Sequence, residues 1–378
     1  MKIRSLTGVA LAAVVAVSLA ACSTGTNTAD AAGISKEDAA TATSAEDFGG
    51  MDALVKAAKA EGELNVIALP PSWANYGKII EGFEKKYGIK VNSANPDGSS
   101  AEEFAAVKAQ KGQSTAPDVL DVGTAVLEEA GNIDLLASYK VDNWDDIPDD
   151  YKDAEGRWYY DYTGVMSIGY DSSVIKKAPT KIDDLLGSDY KGKVAIVGDP
   201  TQANQAASAV YWAALQKGGS ADDISKGIDW FADLKKAGNF QAVTPTQATV
   251  ASGETPVILQ WSYNNLAWGG ENNENYKTVV LKGAALGSYY NQAISADAPH
   301  PAAARLWQEW IYSPEVQNLY LQAGAFPSTL DAMVAAGTVD EDALKAAGGQ
   351  PADLVQLTAE QATTAGEALA AGWAAAIS

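Results

Sequence analysis

The chain has 378 residues, with 48 acidic side chains against 27 basic ones and a formal net charge of −21. Such a field repels nucleic acid and anionic lipid alike, which excludes a nucleic-acid partner. A single cysteine excludes an internal disulfide, and 47% hydrophobic residues over this length exceed what one ordinary core absorbs, so two lobes are expected.

At the N-terminus, Lys2 and Arg4 precede an apolar run, Leu6 to Leu19, that ends in Leu19-Ala20-Ala21-Cys22. The run is shorter than the roughly 20 residues of a membrane span, and its charged start and small-residue end mark residues 1–21 as an export signal. Leu-Ala-Ala-Cys resembles the lipobox of bacterial lipoproteins, which implies that Cys22 carries a lipid. Residues 22–49 are small and polar, so a lipidated flexible tether is expected, holding an extracytoplasmic body to the cell membrane through the lipid alone.

From Met51 the pattern alternates. A helix to Ala60 stops at Gly62. A strand, Leu64 to Leu69, opens into Pro70-Pro71-Ser72-Trp73-Ala74-Asn75-Tyr76-Gly77, which holds two rings on a stiff loop. Lys78 to Tyr87 places Ile79, Ile80, Phe83 and Tyr87 on one helical face, and Gly88 ends it. A short strand, Ile89 to Val91, a helix, Glu102 to Lys111, and a third strand, Pro117 to Val122, follow. This is the rhythm of βαβ units around a mostly parallel sheet, in which ligands bind beyond the carboxyl ends of the strands. The Trp73 loop and the Asp121-Val122-Gly123-Thr124 turn both leave strands at that end.

The run Trp158 to Tyr170 is too long for an ordinary strand and contains two glycines, so it reads as a crossing between lobes. Pro256 to Tyr263 reads as the return. Between them lie a strand, Lys193 to Val197, the turn Gly198-Asp199-Pro200, and helices Ala203 to Gln216 and Asp223 to Ala237. The expected division is lobe 1 over 50–160 and 264–312, and lobe 2 over 165–260 and 313–378.

Lys85-Lys86-Tyr87-Gly88-Ile89-Lys90-Val91, Ala116-Pro117-Asp118-Val119, Tyr190-Lys191-Gly192-Lys193-Val194, and Ala298-Pro299-His300-Pro301-Ala302-Ala303 leading to Ile311-Tyr312-Ser313-Pro314-Glu315-Val316-Gln317 resemble the extracellular solute-binding proteins of ABC importers. The resemblance implies an α/β, two-lobed periplasmic-binding-protein-like fold (type II) with two hinge strands and a ligand cleft between the lobes. It also implies a monomer that gives a small solute to an ABC permease, with no catalysis and no cofactor. Within the family the chain looks like the spermidine/putrescine binders, with ferric-iron and aminoethylphosphonate binders related. Trp73 and Tyr76 match their aromatic pair, Asp199 an acid at the entry to the second lobe's helix, and Trp261 a tryptophan on the return strand.

Three departures narrow the ligand: Gln202 stands where those proteins have a second acid, Tyr289-Tyr290-Asn291 lacks the later acid, and Ser262 and Tyr263 flank the return tryptophan. Fewer carboxylates favour a monovalent or zwitterionic amine. Rings and one acid hold an ammonium while amides and hydroxyls complete the shell. The candidate site is therefore Trp73, Asn75, Tyr76, Asp121, Thr124, Asp161, Asp199, Asn204, Trp261, Tyr263 and Tyr290. Ferric iron, thiamine or a sugar are the alternatives on the same fold, and a hydrolase or adhesin a more distant one. His300 reads as a helix-start residue, the acids of Val141 to Gly156 as solvated, and no Walker, nucleophile-elbow or His-Glu-x-x-His motif occurs.

Overall fold

The computed structural model describes residues 33–378. Its elements in chain order are α1 (Lys36–Thr41), α2 (Met51–Glu61), β1 (Glu63–Ile67), α3 (Tyr76–Tyr87), β2 (Lys90–Ala94), α4 (Ser100–Ala109), β3 (Val119–Gly123), α5 (Thr124–Leu127), β4 (Leu136–Ala137) and β5 (Tyr159–Asp171). There follow β6 (Val194–Ile196), α6 (Asn204–Gln216), α7 (Ser225–Lys236), α8 (Gln247–Ala251), β7 (Val257–Trp261), α9 (Ser262–Trp268), β8 (Tyr276–Val279) and β9 (Ala284–Ser295). The chain closes with α10 (Pro301–Ile311), α11 (Pro314–Gln322), β10 (Phe326–Pro327), α12 (Leu330–Ala336), α13 (Glu341–Ala346), β11 (Ala352–Gln356) and α14 (Ala359–Ala376). Gly62 and Gly88 end α2 and α3 in the left-handed conformation that a residue without Cβ adopts freely.

The main strand order is β2-β1-β3-β9-β5-β7-β6. β1 runs parallel to β2 and β3, and β6 parallel to β7, while β9 and β5 form an antiparallel pair in the middle. Two cores flank that pair. One gathers Leu64, Ile79, Phe83, Trp307 and Trp310, and the other Ile168, Trp212, Phe231, Leu259 and Trp373. β5 gives Tyr159 and Tyr162 to the first core but Met166 and Ile168 to the second, and β9 gives Ile294 to the first and Leu286 to the second. These two strands are the crossings of a two-lobed fold.

The long run is a crossing, as its length predicts, but the return is not where it was expected. β7 pairs with β6 and with Met166–Tyr170 of β5, all within the second lobe, so Trp261 lies opposite Met166. The chain then turns into α9, where Asn265 donates to Ser167 Oγ and accepts from Gln260 Nε2 and Tyr276 Oη. Residues 264–283 thus stay with lobe 2 and the return is made by β9. α11 also changes sides, since Val316 and Tyr320 belong to the first core.

The expected tether is folded where it is described. α1 buries Ala39, and the guanidinium of fully buried Arg305 donates to the carbonyls of Ala40 and Ala42. Small alanines with captured carbonyls hold this strap down, a contact that a count of large apolar residues overlooks. The export signal and Cys22 lie outside the described residues.

Candidate functional site

The β1–α3 loop is locked rather than loose. Ala68, Ala74 and Asn75 all have positive φ, at 55°, 45° and 64°, and two of them are alanines, which pay for that conformation. The Asn75 amide donates to the carbonyl of Leu319 at 2.6 Å, and backbone bonds from Trp73 N to Pro70 O and from Gly77 N to Pro71 O close the turn. Held this way, Trp73 donates through Nε1 to the Tyr162 hydroxyl at 2.7 Å. Its ring lies 5.2 Å from that of Tyr263, which comes from the second lobe, and 6.2 Å from that of Tyr290. Tyr162 stacks on Tyr290 at 5.6 Å.

β5 carries a bulge here, because Tyr160 pairs with Asn291 but Thr163 pairs with Tyr289. The extra residue breaks the alternation of faces, so Asp161 and Tyr162 both reach the same network. Gly164 follows. A Cβ there would collide with the ring of Tyr263, so its role in the structure is close approach beneath the ring that meets Trp73.

These groups line or back a cavity of about 510 Å³ whose wall includes Trp73, Tyr162, Tyr290, Val126, Glu103 and Asp121. Asp121 is buried; its Oδ2 accepts from the Tyr76 hydroxyl at 2.6 Å, and its Oδ1 has no partner. Glu103, 1% exposed, accepts the Asp121 amide through Oε2 at 3.0 Å. Behind them Asp161 Oδ2 is within reach of Tyr76 Oη (3.2 Å), Tyr320 Oη (3.3 Å) and Gln292 Nε2 (3.0 Å), while Oδ1 accepts from Tyr162 N. Each phenol has one proton: that of Tyr76 goes to Asp121 at 2.6 Å, and Tyr320 donates to the Tyr76 oxygen at 3.1 Å or to Asp161 at 3.3 Å.

Among the described residues no lysine or arginine bonds to any of these three acids. Burial pushes the Glu103 carboxyl well up, and burial together with the neighbouring Asp161 and Glu103 charges does the same to Asp121. Asp161 also rises, through burial that outweighs its hydrogen bonds. Burial, then Asp121 and Glu103, lift the Tyr290 phenol to about 12, so it stays neutral.

Trp73, Asp121 and Tyr290 are thus brought together at the cavity. Tyr76 is not on its surface as expected: as the first residue of α3 its ring is fully buried, and only its hydroxyl reaches Asp121. Asp161 backs the site and Tyr263 packs on Trp73. Asn75 is the loop's clamp, and Thr124 Oγ1 accepts from Asn291 and Gln356 at the end of β3. Trp261 is buried in the second core. Asp199 and Asn204 are exposed and line no part of the cavity. Asp199 instead accepts from Thr201 N and Oγ1 in its own turn.

Sequence reading missed Glu103, Tyr162, Gln292 and Tyr320. Glu103 had a signal: it shares the buried face of α4 with Val107, four residues on, where a charge is out of place.

The family model for bacterial extracellular solute-binding proteins matches residues 114–350, well over half of the chain. The chain belongs to that family. This solute-binding protein shares its fold with the spermidine/putrescine ABC transporter substrate-binding protein of Streptococcus pneumoniae, solved with calcium and HEPES: TM-score 0.62 at 16% identity, covering 84% of this chain and 99% of that one. An ABC transporter substrate-binding protein of Bradyrhizobium japonicum aligns with TM-score 0.59 at 15% identity over 84% of this chain and all of that one. The apo ferric ion-binding protein A of Pasteurella haemolytica aligns at 0.53 and 20% identity, over 84% and 96% of the two chains. No curated protein matches it by sequence. As a family member, the protein is an extracellular solute-binding protein.

Proposed function

We propose that this solute-binding protein captures a small organic amine in its cationic form and delivers it to an ABC permease, with the lipid on Cys22 holding it at the membrane and the protein acting as a monomer. The observation that carries the reading is the buried Asp121 carboxyl, with no counter-charge and with Oδ1 unpaired, on the wall of a cavity walled by Trp73, Tyr162 and Tyr290. A buried acid without a counter-charge is costly, and an ammonium both supplies the charge and fits the ring faces. Asp121 thereby takes the role that the resemblance implied for Asp199.

The tyrosine pair argues against ferric iron at this place. Neighbouring residues of a strand point to opposite faces. Tyr289 stacks on Tyr160 at 4.5 Å, while Tyr290 stacks on Tyr162, so the two phenols are not offered to one ion.

Thermal-shift screening of residues 33–378 against amines, amino acids, aminophosphonates, sugars, thiamine and ferric chelates tests the reading. Stabilisation by amines, growing with concentration as linkage requires, is expected. A shift from sugars or ferric chelates and none from any amine would overturn it.

A further inference from the structure

We infer that Glu103 and Asp121 form a proton-exchanging floor of the cavity: they hold protons while it is empty and release them to water when a cation enters, so that capture is linked to pH. The inference rests on the amine reading of the site and adds to it a residue, Glu103, and a chemical rule for what the site accepts.

The geometry supplies the argument. Glu103 comes from α4 and Asp121 from β3, and they are joined by the bond from the Asp121 amide to Glu103 Oε2. Asp161 stands behind, bridged to Asp121 by the Tyr76 hydroxyl. The titratable groups facing this floor are Asp161 and the phenols of Tyr76, Tyr162, Tyr290 and Tyr320, with Asp97 on the cavity wall. None of them can supply a positive charge. Two or three carboxylates this close, out of water and without a cation, cannot all stay ionised, and the empty site keeps protons on them. Burial, and for Asp121 the neighbouring acids as well, raises the pKa of both carboxyls, in agreement.

Entry of an ammonium changes the balance. The acid O–H bond breaks, the proton passes to bulk water, and the carboxylate accepts an ammonium N–H. Asp121 Oδ1, buried behind the cavity wall and without a hydrogen-bond partner, is the acceptor left for it. One ammonium group meets the floor as one proton leaves it. A neutral solute displaces no proton, so the floor also selects for charge.

The test is titration calorimetry with 1,4-diaminobutane at pH 6 in two buffers of different ionisation enthalpy, which counts protons directly. About one proton is expected to leave per cation bound, with affinity rising roughly tenfold per pH unit below the carboxyl transitions. Glu103→Gln keeps an acceptor for the Asp121 amide; it should cut the count by half or more and flatten the pH dependence. Identical heats in both buffers and a flat affinity from pH 5.5 to 7.5 would overturn the inference and leave the amine reading standing. An unchanged proton count in Glu103→Gln would also overturn it. Should that variant fail to fold, the wild-type buffer comparison still decides. No binding of any amine, monovalent amines and amino acids as well as 1,4-diaminobutane, spermidine and agmatine, would overturn the amine reading, and this inference with it.

Discussion

Asp118 and Asp121 are three residues apart on one short stretch of chain, both buried, and they meet opposite fates. Asp118, just before β3, accepts from Asn65 N at 2.6 Å, His300 N at 2.7 Å and the His300 ring at 2.9 Å. Nearby, Glu61 caps α10 by accepting from Ala302 N and Ala303 N, and His300 faces Glu63. Both carboxylate oxygens of Asp118 and of Glu61 are used, and the cluster ties β1, β3 and α10 together. Within β3, Asp121 lines a cavity and its buried Oδ1 has no partner. The lesson is that burial alone does not mark a site acid. An unfilled hydrogen-bonding capacity beside empty space does.

If this contrast is right, the largest effect comes from the satisfied end. Asp118→Ala leaves His300 and two buried amides without their acceptor and is expected to cost about 3–5 kcal/mol of stability, while the folded fraction still binds amines normally. Urea unfolding measures the first and calorimetry the second. Next in size is pH. Asp161 rises to about 6 and Glu61 to about 7, each mainly through burial, and both bind protons more tightly folded than unfolded. Their contribution is therefore greatest at low pH and is lost as pH climbs from about 4 through those values, at about 1.4 kcal/mol per pH unit for each proton. His300, lowered by burial but raised overall by Asp118, Glu61 and Glu63, acts in the same direction. The ligand-free protein should be more stable at pH 5.5 than at pH 7.5 in denaturant titrations, and Asp121→Asn should make the slope shallower.

Smaller again is Trp73→Ala, which removes one ring face from the cavity. An amine should bind about tenfold more weakly, the equivalent of roughly 1–2 kcal/mol for one cation–π contact, by calorimetric titration. Least of all is Asp199→Asn, which alters an exposed turn; an affinity within twofold of wild type is expected. A loss of thirtyfold there would return the binding acid to the second lobe.

Local signals served the fold well. Gly62 and Gly88 end helices, and the run at Tyr159 crosses between lobes, because caps and strand length are written in neighbouring residues. β9 was not legible as a crossing: AALGSYYNQAIS has few β-branched side chains, and its place is set by pairing with β3, β5 and β11. The site was readable in part. Trp73 stood out because two rings on a proline-stiffened loop demand something to face, and Asp121 because it ends a strand. Asp161 was expected, but its reach, like that of Tyr162, depends on a bulge decided by tertiary pairing, and the signal of Glu103 on the buried face of α4 went unread. Asp199 looked like a site residue because it follows a second-lobe strand at the rim and through resemblance, and nothing in its own turn contradicted that.

The central claim is that Asp121 meets the positive charge of the solute. Calorimetric titration of wild type and Asp121→Asn with 1,4-diaminobutane at pH 7.5 tests it most directly. The expected result is an affinity at least thirtyfold lower in the variant, about 2 kcal/mol or more, with ligand-free stability equal to or above that of wild type because a buried, unpaired acid has been removed. An affinity within twofold of wild type, with the variant folded, would contradict it.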